Sequence, residues 1–227
     1  MSTLILRLAA PMQSWGSDSK YNRRKTNREP TKSGVLGMIA AALGCRRDDT
    51  KTFAQLSKLR FGVRVDQEGR IMQDYQIVQG KLPKDTTITY RDYLHDAIFV
   101  AGLEGDRSIL EQLDDALRHP VYPLFLGRRS CPPTGRISLG ILEENLEEAL
   151  KEFPWQVPVW RQNRADRDLR ILMDSSENNF ACIQDVPVSY SPIKREYTYR
   201  NVGEDGVYIS DGKGTNHDPM IELGEVE

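Results

Sequence analysis

Three histidines, His95, His119 and His217, are the residues of this 227-residue sequence whose ordinary pKa suits proton transfer near neutrality. His119 follows Arg118 at the end of a helical pattern. Such a pair, with a distant tyrosine, is the minimum for metal-independent RNA cleavage: a base near the 2′-oxygen and a cation on the developing phosphorane charge. The bland readings compete. His95 falls within a strand pattern, and His119 sits where a helix C-terminus favours positive charge anyway. No GxSxG elbow or GxxxxGK[ST] loop is present, and no HxxxH or paired-Asp motif suggests bound metal. Cys45, Cys131 and Cys182 are odd in number, far apart and without a CxxC partner or nearby histidine. They indicate a reducing compartment, and no metal or cofactor is expected.

Cations are the stronger signal. The whole chain carries a net charge of −2, yet residues 1–47 hold nine Lys and Arg against Asp18 and Glu29, so one end is strongly basic and the remainder acidic. Nucleic acid responds to such local potential rather than to the net charge. "KYNRRKTNREPTK" (20–32) has six cations and one acid in a loop with few apolar anchors; alone, such a run is more readily a solvated loop. Lys32, Ser33 and Gly34 begin a helical pattern and offer N–H groups, a hydroxyl and a cation, a seat for a single phosphate. "LGRRSCPPTGR" (126–136) places Arg128, Arg129 and Ser130 at the end of an apolar run, with Pro132 and Pro133 stiffening the exit. The alternative for these arginines is an ion pair with the acidic stretch at 143–152. Tyr75, Tyr90 and Tyr93, with Arg91, could stack or wedge bases, or simply pack a sheet.

The elements that must hold these residues are legible in outline. "TLILRLA" (3–9) reads as a buried strand, 15–30 as a long loop, and "TKSGVLGMIAAALG" as a helix capped by Thr31 or Ser33 and stopped by Gly44. A short helix follows near 50–59. "FGVRV" (61–65) and "RIMQDYQIV" (70–78) read as a hairpin across the tetrad 66–69, "TTITYRDY" (86–93) and "LHDAIFVAGL" (94–103) as further strands, and 106–118 as a helix begun by Asp106. "VYPLFLG" (121–127) reads as the next strand. Setting 70–92 aside, the order strand, helix, strand, strand, helix, strand is that of an α+β, ferredoxin-like (RRM-like) domain, predicted over 1–136. Residues 137–227 read as a smaller, mostly β region: a helix near 143–152, strand candidates "LRILM", "NFACI" and "REYTYR", and an acidic tail from Asn201. No run is long and apolar enough for a bilayer, so no membrane is expected.

Taken together, "LILRLAAPMQSWG", "PTKSGVLGMIAAALGCRRDD", "YRDYLHDAIF" and "YPLFLGRRSCPP" resemble the CasD family, the fifth core subunit of the type I-E CRISPR Cascade surveillance complex. The resemblance runs in order from the first strand to Pro133 and is weak past residue 137. It implies a ferredoxin-like domain with a protruding β-hairpin thumb, here about 74–93, and a small C-terminal β region. It implies a cytoplasmic, noncatalytic subunit for antiviral defence that caps the 5′ handle of the guide RNA. Its neighbours would be a CasA-type large subunit and a CasC-type backbone subunit, with target DNA met only through the assembled complex. The RNA-binding residues so expected are Trp15, Arg28, Lys32, Ser33, Gly34, Arg46, Tyr75, Tyr90, Arg91, Arg128, Arg129 and Ser130. The alternative is a metal-independent endoribonuclease that processes CRISPR precursor RNA, as a sister branch does with a histidine, a lysine and a tyrosine. A weaker one is a protein-interaction domain whose basic loop is merely solvated.

Overall fold

The computed structural model describes residues 1–16, 22–79, 86–162, 165–175, 181–191 and 195–210. It is a strand-rich α/β structure built on two antiparallel sheets, one with a short parallel addition. Ser2–Ala9 (β1) is buried on both faces, which is why it reads as a mostly apolar run interrupted by Arg7. Met12–Gln13 (β2) and Arg23–Arg24 (β3) follow as two-residue strands, then helices Lys32–Ala42 (α1) and Thr50–Leu56 (α2). Arg60–Gln67 (β4), Arg70–Val78 (β5), Thr87–His95 (β6) and Ile98–Gly105 (β7) come next, then Arg107–Arg118 (α3) and Ser138–Leu142 (β8). Leu146–Glu152 (α4), Val159–Gln162 (α5), Asp168–Asp174 (β9), Ala181–Tyr190 (β10) and Arg195–Tyr208 (β11) complete the order.

The main sheet has seven strands in the order β10-β11-β9-β4-β7-β1-β8. Leu4, Leu6 and Leu8 point from β1 into the larger core, against Leu36 and Ile39 of α1 and Leu110 and Leu113 of α3. Ile5, Val100 and Ile171 point the other way, under Leu146, Ala149 and Leu150 of α4. That second helix seats closely because Gly62 and Gly102 are cross-strand partners beneath it. A Cβ at Gly62 would lie 2.8 Å from Leu150 Cδ1, and one at Gly102 2.6 Å from Leu146 Cδ1. Among the described residues no helix is long and apolar enough to cross a membrane.

Several expectations need correction. "FGVRV" and "RIMQDYQIV" do not pair: β4 is sandwiched between β7 and β9, while among the described residues β5 pairs only with β6. The hairpin is therefore β5–β6, an arm whose outer strand is exposed along nearly its whole length. Its tip at 80–85 lies outside the described residues. "VYPLFLG" is not a strand but a pinned loop, with Leu126 fully buried and Ser14 N–H donating to Leu126 O (3.1 Å). Pro123 cannot donate to a ladder there; the strand beside β1 is β8 instead. β8 and β9–β11, which follow residue 136, join the sheet of β1, β7 and β4 on both flanks. The acidic stretch from Asn201 begins as the end of β11, and 211–227 lie outside the described residues.

One contact between the halves carries a pH prediction. Lys151 of α4 bonds Asp205 of β11 (2.7 Å) and Glu147 (2.8 Å). The Asp205 hydrogen bond, helped by Glu147, pushes Lys151 up to about 12. Asp205 is lowered by Lys151 and by the Gly206 N–H. A lowered carboxyl stabilises above its unfolded pKa and stops as pH falls through the folded value; a raised lysine stabilises below its unfolded pKa and stops as pH climbs toward about 12. The melting-temperature difference between wild type and Lys151→Met is therefore expected to be small, greatest between about pH 5 and 10, and lost at both ends.

Candidate nucleic-acid interface

An open groove of about 1280 Å³ runs between α1, the loop 122–128 and the facing ends of β10 and β11. It exceeds the ~300–1,000 Å³ of small-molecule sites, as suits a polymer. Among the described residues, Arg24, Arg46, Arg47, Arg128 and Arg195 line it against one acid, Asp48. Arg46 bonds Asp48 (3.3 Å) with both side chains largely in solvent, a pair of little strength. Tyr122, Phe125, Tyr190 and Tyr197 add aromatic surface. Cys45 also lines it, and burial followed by the charge of Asp49 pushes its thiol up, away from thiolate chemistry.

The basic loop that forms one rim is stitched down. Asn27 N–H donates to Trp15 O (3.0 Å), Trp15 N–H to Thr26 Oγ1 (2.8 Å) and Tyr90 N–H to Asn22 O (2.7 Å). β3 runs parallel to β6, pairing Arg23 with Tyr90 and Arg24 with Arg91. Glu29 bonds Arg170 (2.7 Å), which also holds Glu68 and Glu204, so the loop's acid faces β9 while Arg24 and Arg28 face solvent.

Arg128 closes this arrangement. Its Nη1 donates to Asp92 O (3.1 Å) and its Nη2 to Arg24 O (2.7 Å), while its guanidinium lies 4.7 Å from the Tyr93 ring centroid. It is half-buried and staples β3 to β6, so it positions the rim as much as it charges it. Arg129 and Ser130 are exposed, and no hydrogen bond or ion pair engages Arg129 among the described residues. The expected pairing of these arginines with the helix at 143–152 is absent there too.

The predicted set divides. Trp15, Ser33, Gly34, Arg46 and Arg128 lie at the groove; Arg28, Arg129 and Ser130 are exposed beside the loops; Tyr75, Tyr90 and Arg91 belong to the arm. Tyr75 and Tyr90 are direct cross-strand partners, 65% and 39% exposed. Arg91 Nε is enclosed, with no hydrogen-bond partner among the described residues. Two roles change. Trp15 is 1% exposed, its Nε1–H donating to Gln13 Oε1 (3.0 Å) and its ring against Gly34, so it supports the groove from beneath and is closed to a base. Lys32 offers no phosphate seat: its N–H donates to Asp185 Oδ2 (2.8 Å) and its Nζ to Asp174 Oδ2 (2.9 Å). Arg200 bridges those same carboxylates, binding Asp174 Oδ1 (2.6 Å) and Asp185 Oδ1 (2.6 Å). This network welds the start of α1 to β9, β10 and β11.

Sequence reasoning missed Arg24, Arg47, Tyr122, Arg195 and Tyr197 as groove residues. Alternating cations and tyrosines in "REYTYR" were the available signal. His119 lies elsewhere, exposed, with Nδ1 3.1 Å from Asp115 Oδ1. It lines a smaller hollow of about 590 Å³ with Arg118 and Arg136, and no lysine or tyrosine joins them among the described residues. Among the described residues no cluster of His, Cys, Asp and Glu is placed to hold a metal ion.

A strand-rich α/β frame with a two-stranded arm and a basic groove defines the class, and the comparisons agree. The chain belongs to the CRISPR-associated Cas5 family: the profile described as CRISPR-associated protein (Cas_Cas5) matches residues 3–203. The CRISPR system Cascade subunit CasD of Escherichia coli (strain K12) is 39% identical over 158 residues, covering 61% of this chain and 70% of that one. A crystal structure of a Cas protein is similar at TM-score 0.73 and 36% identity, over 91% of this chain and 95% of the other. A chain from a CRISPR RNA-guided surveillance complex is similar at TM-score 0.77 and 28% identity, over 98% of both. The resemblance read from the sequence is thereby shown.

Proposed function

We propose that this chain is a noncatalytic RNA-binding subunit of a type I-E Cascade complex. It caps the 5′ handle of the guide RNA, joins a CasA-type large subunit to a CasC-type backbone subunit, and works in the cytoplasm, meeting target DNA only through the assembly. The carrying observation is the open groove whose described residues include five arginines and one acid, in a chain whose net charge is slightly negative. The likeness to CasD and to a chain of an RNA-guided surveillance complex supports the assignment. The order β8-β1-β7-β4, with α1 and α3 on one face, supports a ferredoxin-like core. The β5–β6 arm then corresponds to the thumb, presenting Tyr75 and Tyr90 to RNA.

Cleavage is the less favoured reading. His119 is engaged by a carboxylate of its own helix, and Arg118 by Asp114 through both carboxylate oxygens (3.0 Å each).

The test is titration of the full chain with synthetic 5′-handle RNA at several salt concentrations. Wild type is expected to bind it more tightly than scrambled RNA, with a steep negative salt slope. The Arg46→Glu/Arg47→Glu double variant is expected to bind roughly tenfold or more weakly at physiological salt, its slope shallower by about 0.7 for each phosphate no longer neutralised. Equal affinity for scrambled RNA would sink the handle assignment. A discrete cut without metal, abolished in His119→Ala, would establish the nuclease instead.

A further inference from the structure

Beyond the rim of arginines, the groove has a wall that belongs to the last two strands. Tyr190 ends β10 and Arg195 begins β11, and the two are register partners at the head of that strand pair. Tyr190 reaches back into the molecule: its hydroxyl donates to Ser33 O, and its ring lies 4.7 Å from that of Phe53, which is 3% exposed. Tyr197 meets Tyr190 edge-on at 6.2 Å and 84°. Three rings thus form a ladder from the core to the groove, with the outermost half-buried and Arg195 two residues before it at the groove wall. The Lys32–Asp174–Arg200–Asp185 network anchors the same strands to α1, so the wall is built before any ligand arrives.

Binding an unpaired polynucleotide takes two things: cations that follow the backbone, and a fixed aromatic face on which a base can lie. Arg24, Arg46 and Arg47 supply the first in this groove, and the C-terminal wall supplies the second. We infer that Tyr197, flanked by Arg195, is a stacking platform for an unpaired base of the bound RNA. The C-terminal strands thereby touch RNA directly rather than only bracing the sheet. This deepens the reading of the groove as an RNA seat and rests on it.

The experiment uses the full chain and synthetic 5′-handle RNA, once with a fluorescent end label and once with 5-iodouridine for photocrosslinking. Tyr197→Leu keeps an apolar contact with Tyr190 but removes the flat face, and is expected to bind about five- to a hundredfold more weakly with an unchanged salt slope. Tyr197→Phe should stay near wild type, and illumination of wild type should yield a crosslinked peptide containing Tyr197. Should wild type bind the handle while Tyr197→Leu binds equally well and no crosslink maps to that peptide, the platform is wrong and the groove assignment stands. Failure of wild type to bind handle RNA above scrambled RNA overturns both.

Discussion

Replacing Arg64 with methionine is expected to remove about 3–5 kcal/mol of stability, a large share of the ~5–15 kcal/mol typical of a folded domain. Arg64 and Asp66 have fully buried side chains, joined at 2.7 Å (Nε–Oδ1) and 3.1 Å (Nη2–Oδ2). Arg64 Nη1 also donates to Leu150 O (2.7 Å) and Phe153 O (2.6 Å), and Nη2 to Pro154 O (3.2 Å), closing the C-terminal end of α4. Methionine fills much of the volume but donates nothing. Three carbonyls are left without this donor, and the Asp66 carboxylate retains the Gln156 N–H (2.7 Å) in place of a cation. Burial already pushes Asp66 up despite Arg64, and without the guanidinium it rises further. The deficit should therefore shrink as pH falls and a neutral carboxyl replaces the buried charge. Thermal melts should show a loss of roughly 6–20 °C near neutrality for a chain of this size. Lysine should not restore it, since an ammonium cannot span two carboxylate oxygens and three carbonyls. A melt within a degree or two of wild type would refute the account.

Gly127→Ala is the second large effect, and it reads out on RNA. Gly127 has φ +86°, and a Cβ there would lie 1.6 Å from the Ser14 carbonyl oxygen. Backbone strain alone costs ~1–3 kcal/mol, and the collision with main chain cannot be relieved by a rotamer change. The links at risk are the Ser14 N–H to Leu126 O bond and the guanidinium next along the chain, which ties Arg24 to Asp92. The expected result is a folded main sheet with a displaced rim, seen as handle affinity falling by at least tenfold while the strand signal in circular dichroism persists. Full affinity would show that the rim does not depend on this turn.

Much of the frame was readable because burial on both faces leaves mostly apolar runs, as in β1 with only Arg7 interrupting Leu4–Ala9, and because α1 and α3 carry apolar residues at helical spacing. Pairing was less readable. The four residues between "FGVRV" and "RIMQDYQIV" invited a hairpin, but β4 has both edges taken by β7 and β9, so β5 has to leave the sheet. The charges show the same limit. Lys32 looks like a free cation at a helix start until Asp174 and Asp185, more than 140 residues away, arrive beside it. Arg128 looks like a ligand group until two of its donors are found on carbonyls. The sequence shows where cations fall; their partners depend on tertiary contacts that composition does not encode.

The flanking of β4 and β1 by strands from late in the sequence has a consequence during translation. By the time β7 has emerged, three apolar strands can associate, but about 60 residues still separate its end from the start of β9. At ~5–20 residues per second, the ribosome leaves the β4 edge unpaired for roughly 3–12 s and the β1 edge, which β8 covers, for roughly 2–6 s. A nascent chain with bare strand edges is prone to clumping, so yield should depend on chaperone supply during synthesis more than on the stability of the finished molecule.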